Sequence, residues 1–410
     1  MSIRSVAIVG TGHAATVTAR TLRRRGFDGT VTLLGDELHA PYQRPPLSKE
    51  FLAGTSDEST MALLTPKVIA DNDITIRTGT RVDGIDAERR VLRLAGGDTL
   101  TADAIVIATG GRPRQLPGFT IRSSPRVHYL RTLDDARTLR DRLRHGARLA
   151  IIGGGFIGLE IAATARGFGL GVTLIESGTQ ILEPRLGSRI ADLCADIHRG
   201  RGVDLRCGVS VTSSEITDSS AQLTLSDGTV LDVDDVIVGI GIEPNTELAS
   251  AAGIRVDNGI VVDARGRSSV PGIFAVGDVA ARFSESAGRH VRVEHVDNAN
   301  RQGAVVARAI LGEDRPDDSA HWFWSDQYEL NLQFTGTCVG VDDLVFRGDI
   351  DDGEFSAFYL REGQMCGAFA IDRGEDIMAA REMIGRTVDR AVLADEDIDL
   401  WELGEEEVPA

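Results

Sequence analysis

The sequence predicts an α/β chain in which one strand–glycine turn–helix–strand unit occurs twice and a small α+β domain follows. Three observations carry this. Ser5–Val9 is a short apolar run that ends at Gly10-Thr11-Gly12 and feeds a helical pattern. Arg148–Ile152 ends at Gly153-Gly154-Gly155 and does the same. From about residue 325 the texture changes to short strand-like pieces before a last helical stretch. At 410 residues the chain has room for two or three domains of roughly 150 residues each.

In order, a helical pattern over residues 17–24 stops at Gly26, and Thr30–Leu34 is the next strand, ending at Gly35-Asp36-Glu37. The second unit has a helix over about 159–168 and a strand over 171–175 that ends at Glu176. Between and after the two units, apolar runs end at glycine three more times: residues 104–108 at Thr109-Gly110, 235–239 at Ile240-Gly241, and 272–276 at Gly277-Asp278. The last part reads as strands over 330–335, 343–347, 355–360 and 367–370 with a helix near 377–384, and an acidic tail, 395–407, expected to be partly mobile. Strand, glycine turn, helix, strand and terminal acid make up the Rossmann-like dinucleotide fingerprint, with Ala15 in the third small position of the first copy and Gly158 in that of the second. Copies so far apart mean two separate dinucleotide sites, not a short-period solenoid.

Composition narrows the partners. The net charge of −18 argues against nucleic acid or an anionic membrane surface, both of which reward a basic face. No apolar run reaches the ~18 residues of a membrane span. Cys194, Cys207, Cys338 and Cys366 form no C-x-x-C pair, so a disulfide framework, a zinc site and an iron–sulfur site are not expected, and a reducing cytoplasm is. Among the 44 lysines and arginines only Lys49 and Lys67 are lysines.

The chemistry follows from the turns. Backbone N–H groups at a helix start, with the positive end of the helix dipole, suit a pyrophosphate, and glycine lets the backbone approach it. Asp36 and Glu176 stand where an acid accepts ribose hydroxyls. A 2′-phosphate would be repelled by Glu176 and would find no arginine in residues 177–184, so the second site favours NADH over NADPH. One site then suits a resident flavin dinucleotide and the other a visiting nicotinamide. Lys49, after Pro45-Pro46-Leu47-Ser48, is either a surface lysine or a cation beside the flavin ring. Glu160, an acid on a mostly apolar helix face, is its candidate partner. Trp322-Phe323-Trp324 is either a core patch or a cover for the flavin. No cysteine lies in residues 41–49 or on the first turn's helix, so the redox cysteines of a disulfide reductase or thiol peroxidase are missing.

At this point the chain resembles the FAD-dependent, NADH-using ferredoxin reductases that serve bacterial Rieske oxygenases and haem-thiolate monooxygenases, the putidaredoxin-reductase-like family, with apoptosis-inducing factor as a more distant relative. The segments that carry the resemblance are Pro41-Tyr42-Gln43-Arg44-Pro45-Pro46-Leu47-Ser48-Lys49, Tyr129-Leu130-Arg131-Thr132-Leu133-Asp134-Asp135-Ala136, the turn from Gly153 to Glu160, the stretch from Val238 to Leu248, Ile273-Phe274-Ala275-Val276-Gly277-Asp278, and Trp322 to Tyr328.

The resemblance implies a glutathione-reductase-like arrangement: an FAD domain split over 1–115 and 243–324, an NADH domain over 116–242, and a C-terminal α+β domain over 325–410. It implies FAD contacts at Gly10, Gly12, Ala14, Ala15, Asp36, Arg44, Lys49, Val82, Ala108, Thr109, Gly110, Arg131, Asp278, His295, Val296 and Trp324. NADH contacts are implied at Gly153, Gly155, Phe156, Ile157, Gly158, Glu160, Glu176 and Gly241, with Lys49 and Glu160 as the catalytic pair. Many relatives carry tryptophan where this chain has His295. If only the backbone N–H there meets the flavin the change is mild, whereas a side-chain role would alter the flavin potential or its pH dependence. The implied activity is NADH:ferredoxin oxidoreduction, with no metal, a transient [2Fe-2S] ferredoxin partner feeding a terminal oxygenase, and a monomer or weak dimer. Rubredoxin reduction and an apoptosis-inducing-factor-like redox-sensing role are the alternatives. Arginine-rich stretches at 20–25 and 137–148, and Arg301 with Arg308, are candidates for a docking patch.

Overall fold

The computed structural model describes residues 3–117, 124–145, 148–284, 288–313, 315 and 319–405. The chain divides into two compact units. One comprises Met1–Pro46, Ser56–Arg112 and Ile242–Asp318, and the other Leu47–Thr55, Pro113–Gly241 and Ser319–Ala410.

The first unit is built on a five-stranded parallel sheet in the order Ile273–Ala275, Ala104–Ile107, Ser5–Val9, Thr30–Leu34, Ile74–Arg77. Its central strands are apolar at nearly every position because both faces are covered. The helix His13–Arg24 buries Ala15, Ala19 and Leu22, spaced four and three residues apart, so one stripe faces the sheet and the helix Val296–Ile310. Those two helices run close because Gly303 has no side chain: a Cβ there would lie 2.7 Å from the Ala14 carbonyl oxygen. Two three-stranded sheets, Val82–Asp86 with Val91–Leu94 and Thr99–Thr101, and Ile260–Val262 with Ala280–Ser284 and Arg289–Val291, also belong to the unit.

The second unit holds a parallel sheet ordered Val203–Cys207, Gly171–Glu176, Arg148–Ile152, Asp235–Val238, Val127–His128. It also holds a five-stranded antiparallel sheet ordered Trp322–Gln327, Leu330–Gly336, Gln364–Ile371, Glu354–Arg361, Asp343–Asp349. The last sheet divides its side chains by the period of two. Phe355, Ala357, Tyr359, Phe369 and Ile371 join one core with the helix Phe156–Gly167, while Phe358, Leu360, Ala368 and Ala370 face the helix Gly374–Met383. Two helix starts need correction here: the helix after the first glycine turn begins at His13, not at 17. The helix after the second glycine turn starts at Phe156, not near 159, because Gly155 takes the extended conformation of an N-cap. The described part of the acidic tail makes local contacts, with Arg347 donating to the carbonyls of Asp395 and Ile398 and Leu400 buried at the head of the helix Leu400–Glu405, while Asp395, Glu396, Asp397 and Asp399 are exposed. Residues 406 and 407 of that tail lie outside the described residues.

One buried charge cluster pins the second parallel sheet. Asp235, 3% exposed, accepts from His128 Nε2 at 2.9 Å and from Arg142 Nε and Nη2 at 3.1 and 2.9 Å, with Arg126 Nη1 at 3.7 Å. Asp235→Ala strands the Arg142 and Arg126 guanidinium groups. It should cost about 2 kcal/mol in urea denaturation, less than for a fully enclosed pair because Arg142 keeps part of its surface in water. A loss of under about 0.5 kcal/mol, the range of ordinary surface changes, would show that the cluster contributes nothing net.

Candidate active site

The two glycine turns divide their labour in the same way. At Gly10, φ is +129° and a Cβ would sit 2.2 Å from the Ala108 carbonyl oxygen; at Gly153, φ is +112° and a Cβ would sit 2.4 Å from the Gly239 carbonyl oxygen. These first glycines let the strand end pass against its neighbour. The second glycines, Gly12 and Gly155, are helix N-caps without a side-chain cap bond, and a Cβ there would meet nothing within 4 Å. Their open cradle in front of uncapped helix N–H groups fits a pyrophosphate. The third position is packing: a Cβ on Gly158 would lie 2.2 Å from the Gly153 carbonyl oxygen, while Ala15 is fully buried.

Around the first turn, within the first unit, Asp36 is exposed at the strand end, whereas neighbouring Glu37 is already engaged by Arg44 Nη2 at 2.6 Å and by the Tyr42 hydroxyl at 2.6 Å. Arg44 lies 5.3 Å from the Tyr42 ring centroid. His13, at the first helical position, is pushed down to about 4, first by burial and then by the Arg44 guanidinium, against the pull of Asp278. That places His13, Arg44 and Asp278 in one electrostatic neighbourhood. Asp278 itself follows Gly277, whose φ of +73° and close approach to Ala14 bring this turn against the first helix. The Thr109-Gly110 turn is clamped by Asn245: its side-chain N–H donates to the Thr109 carbonyl at 2.8 Å, its carbonyl accepts from Thr109 Oγ1 at 2.8 Å, and its backbone N–H donates to the Gly110 carbonyl. Val82 is buried at a strand start, and His295 caps the helix that begins at Val296 with extended backbone.

In the second unit, Glu176 is held by the glycine turn itself: Oε2 accepts from the Gly154 N–H at 2.7 Å and Oε1 from the Gly178 N–H at 2.6 Å. Gly241 has φ of +94°. Lys49 and Glu160 meet, with Nζ 3.0 Å from Oε2 and side chains only 9% and 2% exposed. Ser48 donates to the same carboxylate oxygen, and Ser325 donates to Oε1 at 2.6 Å. A charge pair this dry is held only where every lone pair has a partner. Phe156 stacks edge-on against Phe323 with centroids 4.6 Å apart, and Ile157 is half exposed. Trp324 stacks on Trp322 with centroids 5.2 Å apart, on a strand rather than in a loop. Arg131 begins the Thr132–Asp135 capping box of the helix Leu133–Leu143.

Sequence reasoning missed His13, Ser48, Asn245 and Ser325 as site residues. Asn245 and Ser325 lie in segments that carry the family resemblance, but nothing in their residue type says what they hold. Several arginines proposed for docking are spoken for: Arg23 donates to four backbone carbonyls, Arg25 pairs with Glu313, Arg142 with Asp235 and Arg301 with Asp297. Arg20 and Arg24 remain on the exposed face.

Two nucleotide-binding turns, a buried lysine–glutamate pair and an antiparallel C-terminal domain together define a two-dinucleotide oxidoreductase. The chain belongs to the pyridine nucleotide-disulphide oxidoreductase family, whose model matches residues 4–303, and the reductase C-terminal model matches residues 322–404. It is 39% identical over 406 residues to putidaredoxin reductase of Pseudomonas putida, covering 97% of this chain and 96% of that one. It is 40% identical over 403 residues to the ferredoxin–NAD(+) reductase component of the anthranilate 1,2-dioxygenase system of Burkholderia cepacia, covering 98% and 99%. Among solved structures, the covalent putidaredoxin reductase–putidaredoxin complex superposes with a TM-score of 0.93 at 38% identity over 98% of both chains. Despite the family's name, all four cysteines here are free thiols: Cys194 and Cys366 are buried, and Cys207 and Cys338 are partly exposed.

Proposed function

We propose that this chain is an NADH:ferredoxin oxidoreductase with resident FAD, acting in the cytoplasm on a [2Fe-2S] ferredoxin that feeds a terminal oxygenase. The carrying observation is the duplication: two complete glycine turns in one chain, each with an open second glycine and a terminal acid, so that one dinucleotide stays while another visits. Bound FAD supplies the conversion of a two-electron donor into single-electron deliveries.

The chain's own residues bind and orient. Gly10, Gly12, Ala14 and Ala15 would hold the FAD pyrophosphate, Asp36 the adenosine ribose, and the backbone of Val82 the adenine. Arg44, Arg131 and Asp278 would hold the phosphate and ribityl region, with Ala108, Thr109, Gly110, His295, Val296 and Trp324 around the ring system. Gly153, Gly155, Phe156, Ile157, Gly158 and Gly241 would receive NADH. Lys49 would set a positive charge beside the flavin, and Glu160 would fix that charge and meet the nicotinamide carboxamide.

Glu176 supports NADH over NADPH, because its carboxylate is held in place by two backbone N–H groups rather than by a cation. Glu176→Ala should raise the KM for NADH about tenfold, the scale of one lost hydrogen bond to a charged group, and lower the KM for NADPH, because the carboxylate that repels its 2′-phosphate is gone. A coenzyme preference identical to that of the parent would remove Glu176 from the ribose site.

Stopped-flow reduction by NADH followed by a panel of acceptors tests the function. Rapid electron delivery to [2Fe-2S] ferredoxins, falling steeply with added salt, is expected. Faster delivery to rubredoxin would reassign the acceptor. Slow turnover with every acceptor and a long-lived reduced complex with NAD would point to the apoptosis-inducing-factor-like role.

A further inference from the structure

Glu160 is the last member of a buried hydrogen-bond ladder that runs through three elements of the second unit. Ser325 and Gln327 alternate on the strand Trp322–Gln327, so both side chains leave the same face. Ser325 reaches Glu160 on the helix Phe156–Gly167, and Gln327 reaches His198 on the helix Ser188–Gly200. Tyr328, in the turn that follows, closes on the far side of the same imidazole. Glu160, Ser325, Gln327 and His198 are each no more than 2% exposed.

The chemistry of each group fixes the direction of donation. The Glu160 carboxylate, paired with Lys49, accepts only, so Ser325 gives its hydroxyl hydrogen to Oε1 at 2.6 Å. Ser325 Oγ must then accept, which turns the Gln327 amide so that Nε2 donates to it at 3.0 Å. That leaves Gln327 Oε1 facing His198 Nε2 at 2.8 Å, so this ring nitrogen carries the hydrogen. Nδ1 is then the acceptor for the Tyr328 hydroxyl at 3.0 Å. Burial lowers the affinity of His198 for a second proton and holds Tyr328 up to about 12, so both stay neutral at pH 7.

The outer end is under strain. Tyr328 holds φ at +58°, a left-handed region that a bulky side chain enters only against strain. Arg201 lies 4.9 Å from its ring centroid and pairs with Glu329. The constraint aims the phenol at His198.

We propose that His198 is a positioning residue for Glu160, locked as the Nε2–H tautomer at the head of this one-way ladder. With Ser325 on one carboxylate oxygen and Ser48 and Lys49 on the other, Glu160 cannot rotate away from the ammonium it orients. The ladder does not carry protons: the Gln327 amide takes a hydrogen bond on oxygen and gives one from nitrogen, and no proton passes between them. The consequence for the flavin rests on the function proposed above; the tautomer does not.

The test has two arms on the holoenzyme. In the first, ¹⁵N-histidine NMR of the wild type should show His198 as a single neutral tautomer protonated at Nε2. Ser325→Ala should release the Gln327 amide and let His198 populate both tautomers. A cationic His198, an Nδ1–H tautomer, or a Ser325→Ala spectrum identical to that of the wild type overturns the ladder. In the second, His198→Leu fills the space without a donor, and His198→Gln returns an N–H near the Nε2 position. His198→Leu should slow flavin reduction by NADH about tenfold, the scale of a small misplacement at a reacting centre, and shift the flavin midpoint potential, and His198→Gln should restore both. If His198→Leu leaves rate and potential at their parent values, or if His198→Gln changes them as much as leucine does, the positioning role is wrong. Should the leucine variant fail to fold, Ser325→Ala carries the same rate and potential comparison. A wild type that binds no flavin would overturn the proposed function while the tautomer result stood by itself.

Discussion

Lys49→Met is expected to destabilise the second unit by about 3 kcal/mol, the scale at which removal of one partner from a buried ion pair acts. Glu160 would be left 2% exposed with the hydroxyls of Ser48 and Ser325 but without its cation. A methionine fills the lysine's stem volume, so little of the loss would come from a cavity. The double variant Lys49→Met with Glu160→Gln should recover most of the loss, because a neutral amide no longer needs a counter-charge. Urea denaturation followed by the far-ultraviolet signal reads this directly. The same variant should also hold FAD less firmly or lower its potential, read by flavin content and spectroelectrochemistry. Wild-type stability in the single variant would mean that the pair is compensated in some other way. Unchanged flavin content, potential and turnover would remove Lys49 from the mechanism.

The strand–turn–helix units were legible because their signals are local. Apolar runs of five, glycines at fixed offsets and an acid at the next strand end each state a backbone requirement on their own. The candidate pair Lys49 and Glu160 was legible for a different reason: an acid on an apolar helix face has to be satisfied by something, and lysine is scarce in this chain. What was not legible is whatever depends on two distant segments meeting side by side. Ser325 is a serine on a strand until Glu160 stands 2.6 Å away, and Asn245 is one polar residue among several until it closes on Thr109. The tail's backbone contacts were hidden for a related reason. Its acidity suggested solvent, and Asp395, Glu396, Asp397 and Asp399 are exposed, but Arg347, itself 5% exposed, takes up backbone carbonyls there, and composition does not report backbone bonds. Charge density in the sequence likewise does not distinguish an arginine offered to a partner from one such as Arg23, whose guanidinium donates to four carbonyls of its own chain.

The largest effect on coenzyme use should come from Gly155→Ala, and its value lies in the contrast with Gly153→Ala. At Gly155 the backbone is extended, with φ of −82°, and the new methyl would meet no protein atom within 4 Å. Folding therefore has no reason to suffer, and the melting temperature should stay within about 2 °C, the range left by a surface change of a few tenths of a kcal/mol. The methyl would instead occupy the cradle in front of the helix N-terminus. The KM for NADH should then rise at least about tenfold, a loss of 1.4 kcal/mol or more, while the bound flavin and its spectrum stay as they are. Gly153→Ala reverses the pattern: φ of +112° and a contact of 2.4 Å with the Gly239 carbonyl oxygen oppose any side chain, so the unit itself should be destabilised before coenzyme is considered. Gly12→Ala and Gly10→Ala should repeat this division at the first turn, the former losing flavin from a folded chain and the latter weakening the fold. If Gly155→Ala binds NADH as tightly as the parent, the cradle is not where the pyrophosphate sits, and the assignment of the second site to NADH falls with it.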